Sequence, residues 1–311
     1  MRETRVSCIG LVRIMHWSGI VHLSTGVPLM PKRRLSSIAL AALLPFAAWT
    51  HSVAANADTL DDIKSRGTMT VAIDPTFAPY EYTDANNNIV GFDPAIMAAI
   101  AKHLGVKIEY QRMSFSGIIP GLLAHSFDIE GSALNVTAER AKRLEYVVPT
   151  SKTVNGALVR SDFKKIPQQA TIESLAGLTA AVKSASAPEQ ILKQFNETLK
   201  TKGLAPIQLI SVDSVDQTVA ALMTGRADFV FDDMTVLAGV IKQNPGKLKP
   251  TGELGPSQWI AWATRPDDTR LNKAISDQIV AMKKSGELAR LQKANLGVSF
   301  DTPTSDFIPA Q

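Results

Sequence analysis

From Met69 onward, short runs of alternating or β-branched residues are interleaved with longer segments whose apolar positions recur every three to four residues. Met69-Thr70-Val71-Ala72-Ile73 has the alternation of a strand. Asp93-Pro94 predicts a helix start, with Asp as the cap and Pro in the first turn. Ile96, Ile100 and Leu104 make its apolar stripe, and Gly105 ends it. A strand is expected over Val106–Tyr110, then a helix over Gly117–His125 that kinks or restarts at Pro120. Asp128–Leu134 reads as strand plus loop, after which Thr137 caps a short basic helix through Arg143.

A second series begins near Ala157. Strands are expected at Leu178–Lys183, Ile207–Val212 and Asp228–Phe231, the last ending in Asp232-Asp233. Ser186 and Glu189 have the spacing of a capping box, and Asp213-Ser214-Val215-Asp216 opens a helix that ends at Gly225. A long helical region over Asp268–Leu296 carries the stripe Leu271, Ile275, Ile279 and Met282 and is broken at Gly286. Two β/α series of similar size predict an α/β fold with two lobes. The tail Val298–Gln311, with Pro303 and Pro309 and no periodicity, is expected to be a loose end.

The first 57 residues do not share this pattern. Met30-Pro31-Lys32-Arg33-Arg34 is a basic start, Leu35–Trp49 is an uncharged apolar run, and Ala55-Asn56-Ala57 is a small-x-small site. That order predicts a secretory leader cut after Ala57, with Met30 as the initiator. The apolar run, about 15 residues, is shorter than the ~20 of a spanning helix. The leader changes the charge. The whole chain has 33 Lys+Arg against 29 Asp+Glu, a net of +4, but residues 1–57 hold six of those bases and one acid. The remainder has 27 bases and 28 acids, so no basic surplus is left to hold nucleic acid. Cys8, the sole cysteine, lies within the leader, which leaves no thiol chemistry. His103 and His125 lack partners at metal-ligand spacing, so no metal or cofactor is expected, and both read as surface histidines on helices.

Several segments then fall into a recognisable order. Asp74-Pro75-Thr76-Phe77-Ala78-Pro79-Tyr80-Glu81, Gly91-Phe92-Asp93 and Phe115-Ser116-Gly117-Ile118-Ile119-Pro120 are followed by Asn135-Val136-Thr137-Ala138-Glu139-Arg140 and Gly225-Arg226-Ala227-Asp228-Phe229-Val230-Phe231-Asp232-Asp233. Together, from about Asp58 to Leu296, these resemble the solute-binding proteins of polar amino-acid ABC importers, most of all the glutamine- and histidine-binding members. The resemblance implies a two-lobed periplasmic-binding-protein fold of type II, with α/β lobes joined by two hinge strands and the ligand in the cleft. Lobe 1 would be residues 58–152 plus 262–311, and lobe 2 residues 157–257. Hinges are expected near Ser151–Gly156 and Gln258–Ala263. The implied partners are an amino acid and an inner-membrane permease. The protein is expected to be a periplasmic monomer.

An amino acid is a zwitterion, and a dry cleft must partner both of its charges. By resemblance, Arg140 clamps the carboxylate bidentately, although the residues alone also fit a solvated helix arginine. Asn135 and the backbone around Ser132 and Ala133 would add hydrogen bonds, with close backbone approach at Ala185 and Ala187. The loop there lacks the family's usual glycine. Asp233 would hold the ammonium, cap the following helix, or do both. Phe77 and Phe115 would sandwich the aliphatic stem, or sit in the core. Asp74 and Lys183 would read the far end and together suit glutamine. If Lys183 is instead a surface lysine, Asp74 and Asp232 favour arginine, lysine or histidine. Asp232 departs from the glutamine-binder pattern, and Glu130 is an acid where an apolar strand residue is expected. The alternative function is an exported cyclohexadienyl (prephenate/arogenate) dehydratase-like enzyme. It would need a general acid in the cleft, for which Glu130, Asp74 and Asp232 are available.

Overall fold

The computed structural model describes residues 59–310. The expected leader, with its start at Met30 and its cut after Ala57, lies outside them.

The first sheet is built on the strand Thr68–Ile73. It runs parallel to Lys107–Arg112 on one side and to Ile129–Glu130 on the other. Ala263–Thr264 and Glu145–Tyr146 extend it in the antiparallel sense, so the chain returns to this sheet after an excursion of more than a hundred residues. The excursion makes a second sheet in the order Gln208–Val212, Thr179–Lys183, Phe229–Asp233, Asn155–Arg160, Leu248–Glu253. Its first three strands are parallel, and the last two pair antiparallel. Ser151–Thr153 and Gln258–Ile260 pair with each other as a separate antiparallel ribbon on the two crossings between the sheets. This is the two-lobed fold with two joining strands that the sequence predicts.

The helices form where apolar stripes meet local stop signals. Phe92–Leu104 buries Ile96 and Ile100 and ends at Gly105, which takes the left-handed conformation (φ 72°) that a side chain would disfavour. Its start differs from expectation. Gly91 is the cap, and Asp93 is fully buried, because the helix packs its first turn inward rather than against water. Ser186, Ser214 and Thr137 each accept a bond from the backbone N–H three residues on, as their capping role requires. Phe115–Leu123 runs through Pro120 as one helix. His103 is an exposed helix residue; His125 is exposed too, but it follows a helix in a left-handed turn (φ 56°).

Gly286 divides the long C-terminal region into Thr269–Ser285 and Glu287–Leu296. The tail beyond, expected to be loose, is held at Phe300, Asp301 and Thr302. Thr302 is buried and its carbonyl accepts from Lys283 Nζ, Asp301 pairs with Lys283 at 2.9 Å, and Phe300 N donates to Gln292 Oε1 at 2.8 Å. Gln292, itself buried, donates to the Thr150 carbonyl at 2.7 Å, next to the first crossing strand.

Candidate functional site

Parallel strands place loops and side chains at their carboxyl ends, and both sheets use those ends here. Asp74 follows the strand Thr68–Ile73 directly. Lys183 closes Thr179–Lys183, and Asp232 and Asp233 close Phe229–Asp233. These ends meet across the cleft at a small cavity. Phe77, Phe115, Ala133, Asn135, Lys183, Asp232 and Asp233 all line it. About 20 Å³ of it is open to a water-sized solute, the room of roughly one water molecule.

Asp74 and Lys183 are partners of each other. Lys183 Nζ lies 2.8 Å from Asp74 Oδ2, with both side chains buried. The ammonium also sits 5.0 Å from the Phe77 ring centre and 5.2 Å from that of Phe115. The aromatic pair expected to flank a ligand stem therefore flanks the chain's own cation, a favourable arrangement for a desolvated charge. Asp74 is further held by Thr76 Oγ1 at 2.7 Å and Phe115 N at 3.0 Å.

Arg140 is buried on the short helix Ala138–Ala141. Its guanidinium donates to the carbonyls of Asn135 (3.1 Å) and Ala185 (3.0 Å), the second belonging to the loop after Lys183. It lies 5.6 Å from the centre of the Phe115 ring. Arg140 and Ala187 line an open groove of about 600 Å³ rather than the small cavity. Ala185 takes φ 58°, the conformation a glycine would hold without strain, and its N–H donates to Glu189 Oε2 at 3.1 Å. Thus the missing glycine is replaced by a strained alanine whose two peptide groups are both bonded.

Asp233 fills its capping role, and its other oxygen is taken by a side chain of the first lobe. Oδ1 caps the next helix through Thr235 N (2.6 Å), while Oδ2 accepts from Tyr80 OH (3.0 Å), which reaches over from the first lobe. Asn135 Nδ2 donates to Gln258 Oε1 on the second crossing strand at 3.1 Å. The loop that was to offer backbone donors has them engaged. Ser132 N donates to Glu130 Oε1 (2.8 Å) and Ala133 N to Glu81 Oε1 (3.3 Å). Ser132 Oγ donates to Glu81 Oε1 (2.8 Å) and accepts from Asp74 N (3.0 Å). Gly131 makes this loop possible, since a Cβ there would come within 2.3 Å of Val71 Cγ1.

Burial raises the carboxyls under and around the cavity. Asp232 is pushed up to about 7; Asp233 beside it pushes the same way, and Lys183 and the Asp233 N–H oppose. Burial also raises Asp233, against the bonds from Thr153, Thr235 and Tyr80. Glu81 and Glu130 are driven well above the carboxylate range by burial, Glu81 further by Asp93 and Glu130 further by Glu81. Asp93 rises to about 8.

Glu81, Asn155, Ser186 and Pro188 also line the cavity and were not anticipated. Glu81 ends the segment that begins at Asp74, and its signal is an acid after the aromatic Tyr80. For Asn155 the signal was a polar residue heading the apolar run Gly156–Val159. Among the described residues, no group of three or more His, Cys, Asp or Glu is placed to hold a metal ion.

Fold and cleft thus define a two-lobed binding protein. Residues 69–298 match the family of bacterial extracellular solute-binding proteins, family 3, and the chain belongs to it. It is 25% identical over 223 residues to ABC transporter arginine-binding protein 1 of Escherichia coli K12, covering 70% of this chain and 86% of that protein. It is 24% identical over 238 residues to the L-cystine-binding protein TcyJ of the same organism, covering 76% and 86%. A solved structure, an ancestral arginine-binding protein bound to glutamine, superposes with a TM-score of 0.68 at 30% identity, covering 75% of this chain and 99% of that one.

Proposed function

We propose that this chain is the periplasmic binding component of an ABC importer and that it carries a polar amino acid in the cleft, glutamine or a similar solute in preference to a basic one. One observation carries the reading. Three polar links cross the cleft: Arg140 to Ala185 at the open groove, and Asp74 to Lys183 and Tyr80 to Asp233 at the small cavity. The cleft therefore presents a buried guanidinium and a buried carboxylate from opposite lobes, the two charges a zwitterion needs. A solute reaching both favours the approach of the lobes, since no open arrangement offers both contacts. The names of the relatives, for arginine and for cystine, and the glutamine in the ancestral structure support an amino acid as the class. In this reading the lobes are residues 58–152 plus 262–311 and residues 157–257, the carrier is a monomer, and its partner is the membrane permease.

The preference for glutamine over a basic side chain rests on Lys183. Its ammonium occupies the aromatic pair and neutralises Asp74, so a second cation entering there meets a like charge. A thermal-shift screen of the purified protein against the twenty amino acids, ornithine and citrulline tests this. Stabilisation by glutamine or a neutral polar relative is expected; stabilisation by none of them refutes the function, and stabilisation by arginine and lysine alone refutes the preference.

A second reading draws on Asp232, whose buried carboxyl ionises at about 7 and is suited to deliver a proton in the cavity. It would make the protein an exported dehydratase of prephenate or arogenate. Formation of phenylpyruvate from prephenate would establish it.

A further inference from the structure

Asn155 is fully buried, and neither its Oδ1 nor its Nδ2 has a hydrogen-bond partner within the protein. It is the first residue of the strand Asn155–Arg160 and lies directly opposite Asp233 in the antiparallel register. Its backbone is settled, with the carbonyl accepting from Leu254 N at 2.7 Å. The side-chain amide is the part left over, and it lines the same cavity as Asp232. Asp232 has Oδ1 bonded to Asp233 N at 2.8 Å, whereas Oδ2 is buried with no hydrogen-bond partner. Orphaned polar groups of this kind cost free energy and are rare unless something else satisfies them.

Glu81 Oε2 is likewise buried without a hydrogen-bond partner at this cavity, and the demand of Asn155 and Asp232 adds to it. Asn155 offers an acceptor and an N–H donor pair, and Asp232 Oδ2 offers an acceptor. A primary carboxamide answers all of these, with a carbonyl for Asn155 Nδ2 and two N–H for the two acceptors. A guanidinium or ammonium has no acceptor and leaves Asn155 Nδ2 unmet; a carboxylate has no donor and faces Asp232. The residues first expected to read the solute's far end, Asp74 and Lys183, are already satisfied by one another.

We infer that Asn155 and Asp232 form the subsite that reads the far end of the solute, and that it takes a primary carboxamide. This rests on the proposed amino-acid-binding function of the cleft and adds to it the residues that set specificity. Solute entry must widen the cavity, since about 20 Å³ holds no more than a water.

The test is calorimetric titration of glutamine, norvaline and arginine into the wild-type protein and Asn155→Leu, with thermal unfolding of both. Norvaline keeps the stem and lacks the amide. Leucine fills the side-chain space and removes the orphaned groups, so the melting temperature is expected to hold or rise. Glutamine affinity is expected to fall at least tenfold in the variant, and norvaline affinity to stay within about twofold. Should Asn155→Leu fail to fold, Asn155→Ala serves with the same readouts. Unchanged glutamine affinity would overturn the inference and leave the amide to an internal water. Equal losses for glutamine and norvaline would do the same, by showing a structural role, as would wild-type protein preferring arginine to glutamine. Failure of every amino acid to bind the wild type would instead remove the proposed function, and this subsite with it.

Discussion

Lys183→Met isolates the buried pair that crosses the cleft. Methionine keeps most of the volume and the apolar stem between Phe77 and Phe115 but removes the charge. At 2.8 Å, and with an effective permittivity of about 20, the gross attraction to Asp74 is about 6 kcal/mol. Desolvation of two ions takes back much of it, so the pair's net worth is small, yet removing one partner strands the other. Stranding a buried ion costs about 3–5 kcal/mol in general. Asp74 keeps its bonds from Thr76 Oγ1 and Phe115 N, which places the expected loss near the low end, about 3 kcal/mol. Urea unfolding followed by tryptophan fluorescence measures it. Asp74→Asn and the double variant complete a cycle whose coupling energy is expected to be about 2 kcal/mol or more. A coupling within about 0.5 kcal/mol of zero would show that the two charges do not depend on each other, and the account of the filled aromatic pair would fail.

Arg140→Ala removes the guanidinium that ties the loop at Ala185 to the first lobe. Ligand affinity is expected to drop by about 2 kcal/mol or more, read by calorimetry, with unchanged affinity counting against the carboxylate clamp. Asp232→Asn tests the raised carboxyl. Its pKa goes up from 3.8 unfolded to about 7 folded, so its favourable contribution is complete below pH 4 and disappears as the pH climbs to 7 and above. The stability of the wild type relative to the variant should therefore fall across that window, by about 4 kcal/mol at most, and a difference independent of pH would reject the shift. Gly131→Ala places a methyl into Val71 and Met97, and a loss of about 1–3 kcal/mol in thermal unfolding is expected; a neutral result would mean that the loop has room to move.

What could be read in advance was local. Thr137, Ser186 and Ser214 cap helices because the bond each makes lies three residues away, within the reach of a sequence pattern. Gly105 and Gly286 stop helices for the same reason. The family motifs point to one region of the fold, and most of the residues they single out meet at one cavity. Partnerships across the cleft were not legible. Asp74 and Lys183 are 109 positions apart, and no local rule says that they satisfy each other before any solute does. Asp93 was misread because a cap rule assumes that the first turn faces water, whereas this one faces the core. Asn155 was passed over since a single amide at the head of an apolar run looks like an ordinary strand end. Only burial without a partner sets it apart.

The Gln292 amide joins two things that are far apart in sequence, the carbonyl just ahead of the first crossing strand and the peptide N–H of Phe300. Thr150 is thereby braced from behind, and the first crossing strand starts from a fixed abutment rather than from a free chain. Phe300, Asp301 and Thr302 act as ballast for that abutment, with Lys283 clamping the last two. Trimming the chain before Phe300 would slacken that brace, even though none of these three residues lines the inner cavity.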